Sequence, residues 1–332
     1  MALERRDLLC FTDGNDEQRK RFAMDLVEDY RRTGFAVLIN HGITDEEIVQ
    51  LFELSKAFFA LPEGVKNSIA HVAGPDPQRG WSRVGAENAA RLFAKEFGSG
   101  ALSKNASDCR EHFDMGAPND AKFPNRWLDP GYIANFRPVM EEHFERFAEV
   151  TIKVLEALEL GLDVPFGSLS RRLYNTASEF RLLHYPATDV EVLKNGSTKR
   201  IWPHFDLGVI TLLFQDMCGG LEIEDRATSN AFVPVLPETS REMVTNISET
   251  LQRWTNNELS AGLHQVSIPP HLKDVEAGRV SDRYSIAFFC KADRESSVGP
   301  LPHFLSPSRP ALYKAMSAIE YHQQRLKAAY ED

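Results

Sequence analysis

The chain has 332 residues, 42% hydrophobic and 26% charged, and its 38 lysines and arginines against 48 acidic residues give a formal charge of −10. That length suits one large domain or two ordinary ones, and the acidic balance argues against nucleic acid or an anionic membrane surface as the main partner. No apolar run approaches the roughly 18 residues of a membrane span, which excludes an integral helical membrane protein.

The opening segment, MALERRDLLCFTDGNDEQRK, is interrupted throughout by acids and bases and lacks the apolar core of a secretory signal. Cys10, Cys109, Cys218 and Cys290 form no CxxC pair, so a zinc knuckle or disulfide framework is not expected. Reduced thiols and a cytoplasmic location are the default.

QRKRFAMDLVEDYRRTGF predicts a helix with Phe22, Leu26 or Val27 and Tyr30 on one face, stopped at Gly34. FAVLIN, residues 35–40, reads as a short buried strand. Thr44 and Glu47 then form a capping-box signature for a helix carrying Ile48, Leu51, Phe52 and Phe59. Residues 71–130 are rich in Gly, Pro, Asn and Asp and read as loops and short strands. A long amphipathic helix is expected from near Tyr132, with Gly161 as its C-terminal cap.

From about residue 178 the character changes. FRLLHYP, GVITLLFQD, LEIED, AFVPV, MVTNI, LHQVSIP and RYSIAFFCKA are strand-length runs separated by turn residues, a spacing that suggests a sandwich or barrel-like core. Residues 311–332 return to a helical pattern. The expected class is α+β: a mostly helical and loop-rich region, 1–130, packs on a β-core within 131–332 as one integrated unit.

WPHFDLGVITLLFQD places His204 and Asp206 two residues apart at the mouth of an apolar run. Such neighbours share a face of a strand, so an imidazole and a carboxylate aim at one point. His264, in GLHQVSIPP, offers a second imidazole. Two histidines and a carboxylate on one side of a metal leave positions open, as non-haem Fe(II) oxygenases require and a closed zinc site lacks. Alone, H-x-D is also the polar edge of an ordinary strand.

DRYSIAFF supplies Arg283 and Ser285, again on one face. Facing a core, a guanidinium and a hydroxyl make a carboxylate receptor. Facing outward, they are an ordinary polar strand pair.

In order and combination, H-x-D, the later histidine and R-x-S resemble the Fe(II)/2-oxoglutarate-dependent dioxygenases. The flanks TGFAVLINHGI, FFALP, RGWSRVGAE, FRLLHYP and GGLEI are similar to the isopenicillin N synthase-like family, over roughly residues 15 to 295. The resemblance implies a double-stranded β-helix, or jelly roll, flanked by helices. It implies Fe(II) on His204, Asp206 and His264, and 2-oxoglutarate on Arg283, Ser285 and Tyr185. O2 is then the second co-substrate and ascorbate a reductant.

The implied reaction oxidises a small, hydrophobic or aromatic specialised metabolite with release of succinate and CO2. Hydroxylation is the commonest outcome; desaturation, ring closure and ring expansion are related ones. Leu183 stands where plant relatives commonly carry asparagine, which puts the co-substrate grip there in question. Arg79, Trp81, Phe113 and Arg181 are the substrate candidates, with a salt bridge as the competing role for Arg181 and packing away from the metal expected of Phe205. Two alternatives stay open: an oxidase of this family that does not use 2-oxoglutarate, and a non-catalytic jelly-roll binding module.

Overall fold

A computed structural model describes residues 3–87, 89, 107–173, 177–228 and 231–330. The helix Asp16–Thr33 opens on a reciprocal box between Asn15 and Gln18 and ends at Gly34, whose φ of 80° is the left-handed cap that favours glycine. The helix Asp45–Phe59 carries the Thr44–Glu47 box expected of it.

The long helix runs Phe136–Gly161, starting later than Tyr132 because Asn135 lies at φ 61°, outside the helical basin. Gly161 is its last residue rather than its cap. A Cβ there would overlap the carbonyl oxygen of Ala23, so the glycine lets the two long helices touch. At the far end only Ala318–Tyr330 is helical, begun by Ser317, whose hydroxyl and backbone N–H both bond Glu320. Among the described residues no helix is long and apolar enough to cross a membrane.

The larger sheet has eight strands in the order β1 (Arg5–Asp7), β2 (Phe35–Ile39), β13 (Met243–Ile247), β10 (Ile210–Gln215), β16 (Arg283–Cys290), β6 (Glu179–Tyr185), β5 (Glu111–Gly116) and β3 (Gly80–Ser82). The smaller has four: β12 (Phe232–Pro234), β11 (Leu221–Glu224), β14 (His264–Val266) and β9 (Ile201–His204). Two short ribbons pair β7 (Thr188–Asp189) with β15 (Arg279–Val280) and β4 (Ser107–Asp108) with β8 (Thr198–Lys199). Each of the seven strand-length runs after residue 178 contributes a strand. The strand expected at 35–40 is β2, and among the short strands of 71–130 are β3 and β5; with β1 they extend the core sheet itself.

Alternation along the large sheet sorts the residues. On β16, Ile286, Phe288 and Cys290 face the helices, whose core includes Phe144, Phe147 and Leu158. Arg283, Ser285, Ala287 and Phe289 point the other way, into a cleft between the sheets. A slip of one residue would exchange these two sets, so the hydrophobic pattern holds the register and, with it, the site.

Candidate active site

The cleft has an empty volume of about 1170 Å³, its mouth included, and both sheets line it. In β9 and β14, His204 and His264 are direct cross-strand partners, which brings their ring centroids to 4.1 Å. Asp206 lies two residues past the end of β9, in a turn rather than on the strand. Its Oδ1 is 4.0 Å from Nε2 of each histidine. The three ligand atoms all fall within 4.8 Å of one another, close enough to hold one metal ion.

The surroundings orient these atoms. His204 Nδ1 donates to the carbonyl of Trp202 at 2.8 Å and His264 Nδ1 to that of Gly262 at 3.0 Å, which leaves both Nε2 lone pairs facing the centre. Asp206 Oδ2 accepts from Thr211 Oγ1 at 2.6 Å and Asn246 Nδ2 at 2.8 Å, leaving Oδ1 for a metal. Thr211 and Asn246 are themselves register partners across β10 and β13. Burial, with His264 adding to it, pushes the His204 pKa down to about 3, so this ring is neutral as a ligand must be. Burial works to raise the Asp206 pKa, but His264, His204 and the two donors bring it below its ordinary value.

Gly208 holds this turn against β16. A Cβ there would overlap the carbonyl oxygen of Cys290, which accepts the Val209 N–H at 2.7 Å. Gly208→Ala is expected to lose about 1–3 kcal/mol in urea denaturation, because backbone rather than a flexible side chain stands in the way.

Arg283 is 0% exposed and, among the described residues, has no carboxylate in ion-pair range. Its Nη2 donates to Gln215 Oε1 at 3.0 Å and Nη1 to Ser285 Oγ at 3.3 Å, while Nε has no partner among the described residues. Register explains the company: Arg283 pairs with Tyr185 and Ser285 with Gln215, so the guanidinium sits 4.8 Å over the Tyr185 ring. Leu183 also lines the cleft. The other cations of the cleft are matched: Arg110 by Glu87, Arg181 by Asp114 and Lys291 by Glu179. A buried cation without a counter-charge, in the same cleft as the triad, fits an anionic ligand.

Three of the four substrate candidates lie outside the cleft lining. Arg79 is buried and spoken for by Asp120 at 3.0 Å, Glu179 at 3.3 Å and the carbonyls of Gln78 and Phe123. Trp81 donates to Glu111 at 2.7 Å inside the fold. Phe113 packs in tilted and edge-on contacts among Phe58, Trp127 and Phe136. All three belong to or adjoin β3 and β5, two short strands that close one end of the sheet.

Arg181 does line the cleft, yet it is held by Asp114 at 2.6 Å and by Gln78. Phe205, expected to pack away, borders the cleft, since the strand ends before it and the alternation no longer applies. Glu87, at the end of RGWSRVGAE, Lys291, at the end of the β16 run, and Arg110 and His322 line it as well, none of them among the substrate candidates.

The Arg181 partnership has a pH signature. Burial alone would raise the Asp114 pKa, but Arg181 and His112 lower it from 3.8 to about 2. A carboxyl depressed in the fold stabilises above its unfolded value and loses that contribution as pH falls through its folded one. Asp114→Asn is therefore expected to be less stable than the native chain by on the order of 2–4 kcal/mol near neutral pH. In urea denaturation the gap should narrow as pH drops from 3.8 toward about 2.

Residues 6–130 match the model of the non-haem dioxygenase in morphine synthesis N-terminal region, and residues 177–292 that of the 2OG-Fe(II) oxygenase superfamily. The chain is 47% identical to the 2-oxoglutarate-dependent dioxygenase phqC of Penicillium fellutanum, over 98% of this chain and 94% of that one. The chain belongs to the 2-oxoglutarate-Fe(II) oxygenases. To the 2-oxoglutarate-dependent dioxygenase imqE of Aspergillus flavus this oxygenase is 41% identical, over 98% and 93%. Among solved structures, a full-length Neurospora crassa protein in complex with alpha-KG and thymine superposes with a TM-score of 0.86 at 27% identity, covering 99% of this chain and 97% of that one.

The jelly-roll expectation accordingly holds, and the oxygenase uses Fe(II), 2-oxoglutarate and O2 to oxidise a small molecule. The oxidase without 2-oxoglutarate and the silent binding module both give way to it.

Proposed function

We propose that His204 Nε2, His264 Nε2 and Asp206 Oδ1 hold the Fe(II), and that Arg283 and Ser285, over the Tyr185 ring, take the distal carboxylate of 2-oxoglutarate. The observation that carries this is the buried, uncompensated Arg283 guanidinium in the same cleft as the triad. When bound, iron and 2-oxoglutarate supply the O2 activation that releases succinate and CO2 and oxidises a substrate C–H bond. The chain's own part is to fix the ligand tautomers through Trp202 and Gly262, to keep Asp206 ionised through Thr211 and Asn246, and to exclude water with Leu213, Ala287 and Val266.

The substrate is a small, hydrophobic or aromatic specialised metabolite, hydroxylated in the first instance. The apolar share of the cleft wall, including Phe289, Phe205 and Leu326, supports this, as does the thymine ring bound in the Neurospora crassa complex. Residues 1–130 and 131–332 act as one catalytic unit, supported by strands of both in one sheet. A cytoplasmic place, with neither nucleic acid nor membrane as partner, is supported by four free cysteines and the charge of −10.

Metabolite extracts incubated with the protein, Fe(II), 2-oxoglutarate and ascorbate test this. Succinate release that depends on an extract component, with that component gaining one oxygen, is the expected result. Product formed equally well without 2-oxoglutarate would remove Arg283 from its role.

A further inference from the structure

Beyond the triad and Arg283, the cleft wall carries a buried charged patch built on residues 107–114. Cys109 N–H bonds the Lys199 carbonyl at 2.8 Å, and Asp108 accepts the Trp202 N–H at 3.2 Å. These bonds lay the segment beside the strand that carries His204. Arg110, 6% exposed, lines the cleft there. Its Nη2 donates to Glu87 Oε2 at 2.9 Å and lies 3.7 Å from Asp108.

That ion pair uses one atom of each partner. Among the described residues Arg110 Nε and Nη1 have no hydrogen-bond partner, and neither has Glu87 Oε1, although all three are buried. Both side chains line the cleft. An unmet donor and an unmet acceptor in one buried pair are costly unless a ligand meets them.

Charge decides what kind of ligand. Two guanidiniums, Arg110 and Arg181, stand among three carboxylates, Glu87, Asp114 and Asp108; Asp108 is already met by the Ala89 and Trp202 N–H groups and Asp114 by Arg181, which leaves Glu87 as the carboxylate of this group that lines the cleft. Burial acts to raise the Glu87 pKa, but His112, Arg181 and Arg110 keep it well below the ordinary range, so the carboxylate is charged. An anionic substrate group would meet Glu87, and an ammonium would meet Arg110. The complement is neutral and carries an acceptor and a donor on adjacent atoms, as a secondary amide does.

We propose that Arg110 and Glu87 are the specificity pair of this cleft and read a secondary amide of the substrate. Its carbonyl oxygen accepts from an unpaired N–H of Arg110, and its N–H donates to Glu87 Oε1. A lactam ring fits best, because its rigid cis amide turns both groups to the same side. This rests on the cleft being the oxygenase active site, and it narrows the substrate to amide-bearing small molecules.

Three probes of similar size test it: isoindolinone, N-methylisoindolinone and phenylacetate. Each is dialysed anaerobically against the full chain loaded with Fe(II) and 2-oxoglutarate. Isoindolinone is expected to bind about tenfold or more tightly than either of the others, since the N-methyl form leaves Glu87 Oε1 unmet and the anion opposes it. Glu87→Gln turns that acceptor into a donor, and Arg110→Met removes the other half. Each variant should bind isoindolinone no better than the N-methyl probe while still binding 2-oxoglutarate, which both reports the fold and tests the co-substrate site separately.

No lactam preference in the native protein, including no lactam binding at all, overturns the proposal. So does a preference that survives both substitutions. Failure of 2-oxoglutarate to bind the native protein would instead overturn the reading of the site on which the proposal stands. If a variant loses 2-oxoglutarate binding through misfolding, the three-probe comparison on the native protein still decides.

Discussion

Asp206→Ala is expected to abolish Fe(II) retention and, with it, succinate formation from 2-oxoglutarate. Two neutral imidazoles remain, with no anion to balance the dication. Loss of a partner outside the ligand shell typically lowers metal affinity about 10–100-fold, so loss of the ligand itself should exceed that range. The change also leaves Thr211 and Asn246, which bond Asp206 Oδ2 at 2.6 and 2.8 Å, as buried donors without their acceptor. A loss of stability on the order of 1–3 kcal/mol should accompany it. Iron content after anaerobic gel filtration, read beside a thermal melt of the metal-free protein, separates the two effects. Full iron retention by a folded Asp206→Ala protein would remove this residue from the ligand set.

The second large effect is at Arg283, where affinity for 2-oxoglutarate should fall without a loss of stability. Arg283→Met removes a guanidinium that is 0% exposed and, among the described residues, unmatched by any carboxylate. The apo protein should be unchanged or more stable, because an uncompensated buried charge goes and an apolar chain of similar length remains. Binding of 2-oxoglutarate should weaken by about 2–5 kcal/mol, which is roughly thirtyfold to several thousandfold. Isothermal titration and the apo melting temperature report the two numbers. A structural arginine would behave otherwise: the melting temperature would fall and the affinity for 2-oxoglutarate would hold.

The spacing within the candidate site was legible in the sequence where strand alternation, which is local, applies. R-x-S on β16 faces one side for the simple reason that i and i+2 always do. Which strands lie next to each other is not local. The pairings His264 with His204 and Arg283 with Tyr185 arise from sheet order and register, which no short window contains. Asp206 reached the centre by a different route from the one its spacing suggested, held in a turn by Thr211 and Asn246.

On the substrate side, three of the four candidates lie away from the cleft for a related reason. Composition marks residues 71–130 as loops and short strands, and the Gly-flanked segment around Trp81 invites a pocket rim there, but β3 and β5 carry Trp81 and Phe113 into the core. Arg79 is drawn inward by Asp120 and Glu179. Beside Arg181, the cleft is faced by Glu87, at the end of RGWSRVGAE, and by Arg110, neither of them among the candidates. Their distinction is an incomplete hydrogen-bond set, visible only once their neighbours are known.

The most direct test is anaerobic titration of the native protein with 2-oxoglutarate, with and without Fe(II). A co-substrate that docks on Arg283 beside the triad and also chelates the metal must bind more tightly when iron is present. By reciprocity, it must tighten iron by the same factor. The expected result is a 2-oxoglutarate affinity that rises with Fe(II) and loses that rise in Asp206→Ala. Equal affinity with and without Fe(II) would contradict a shared site.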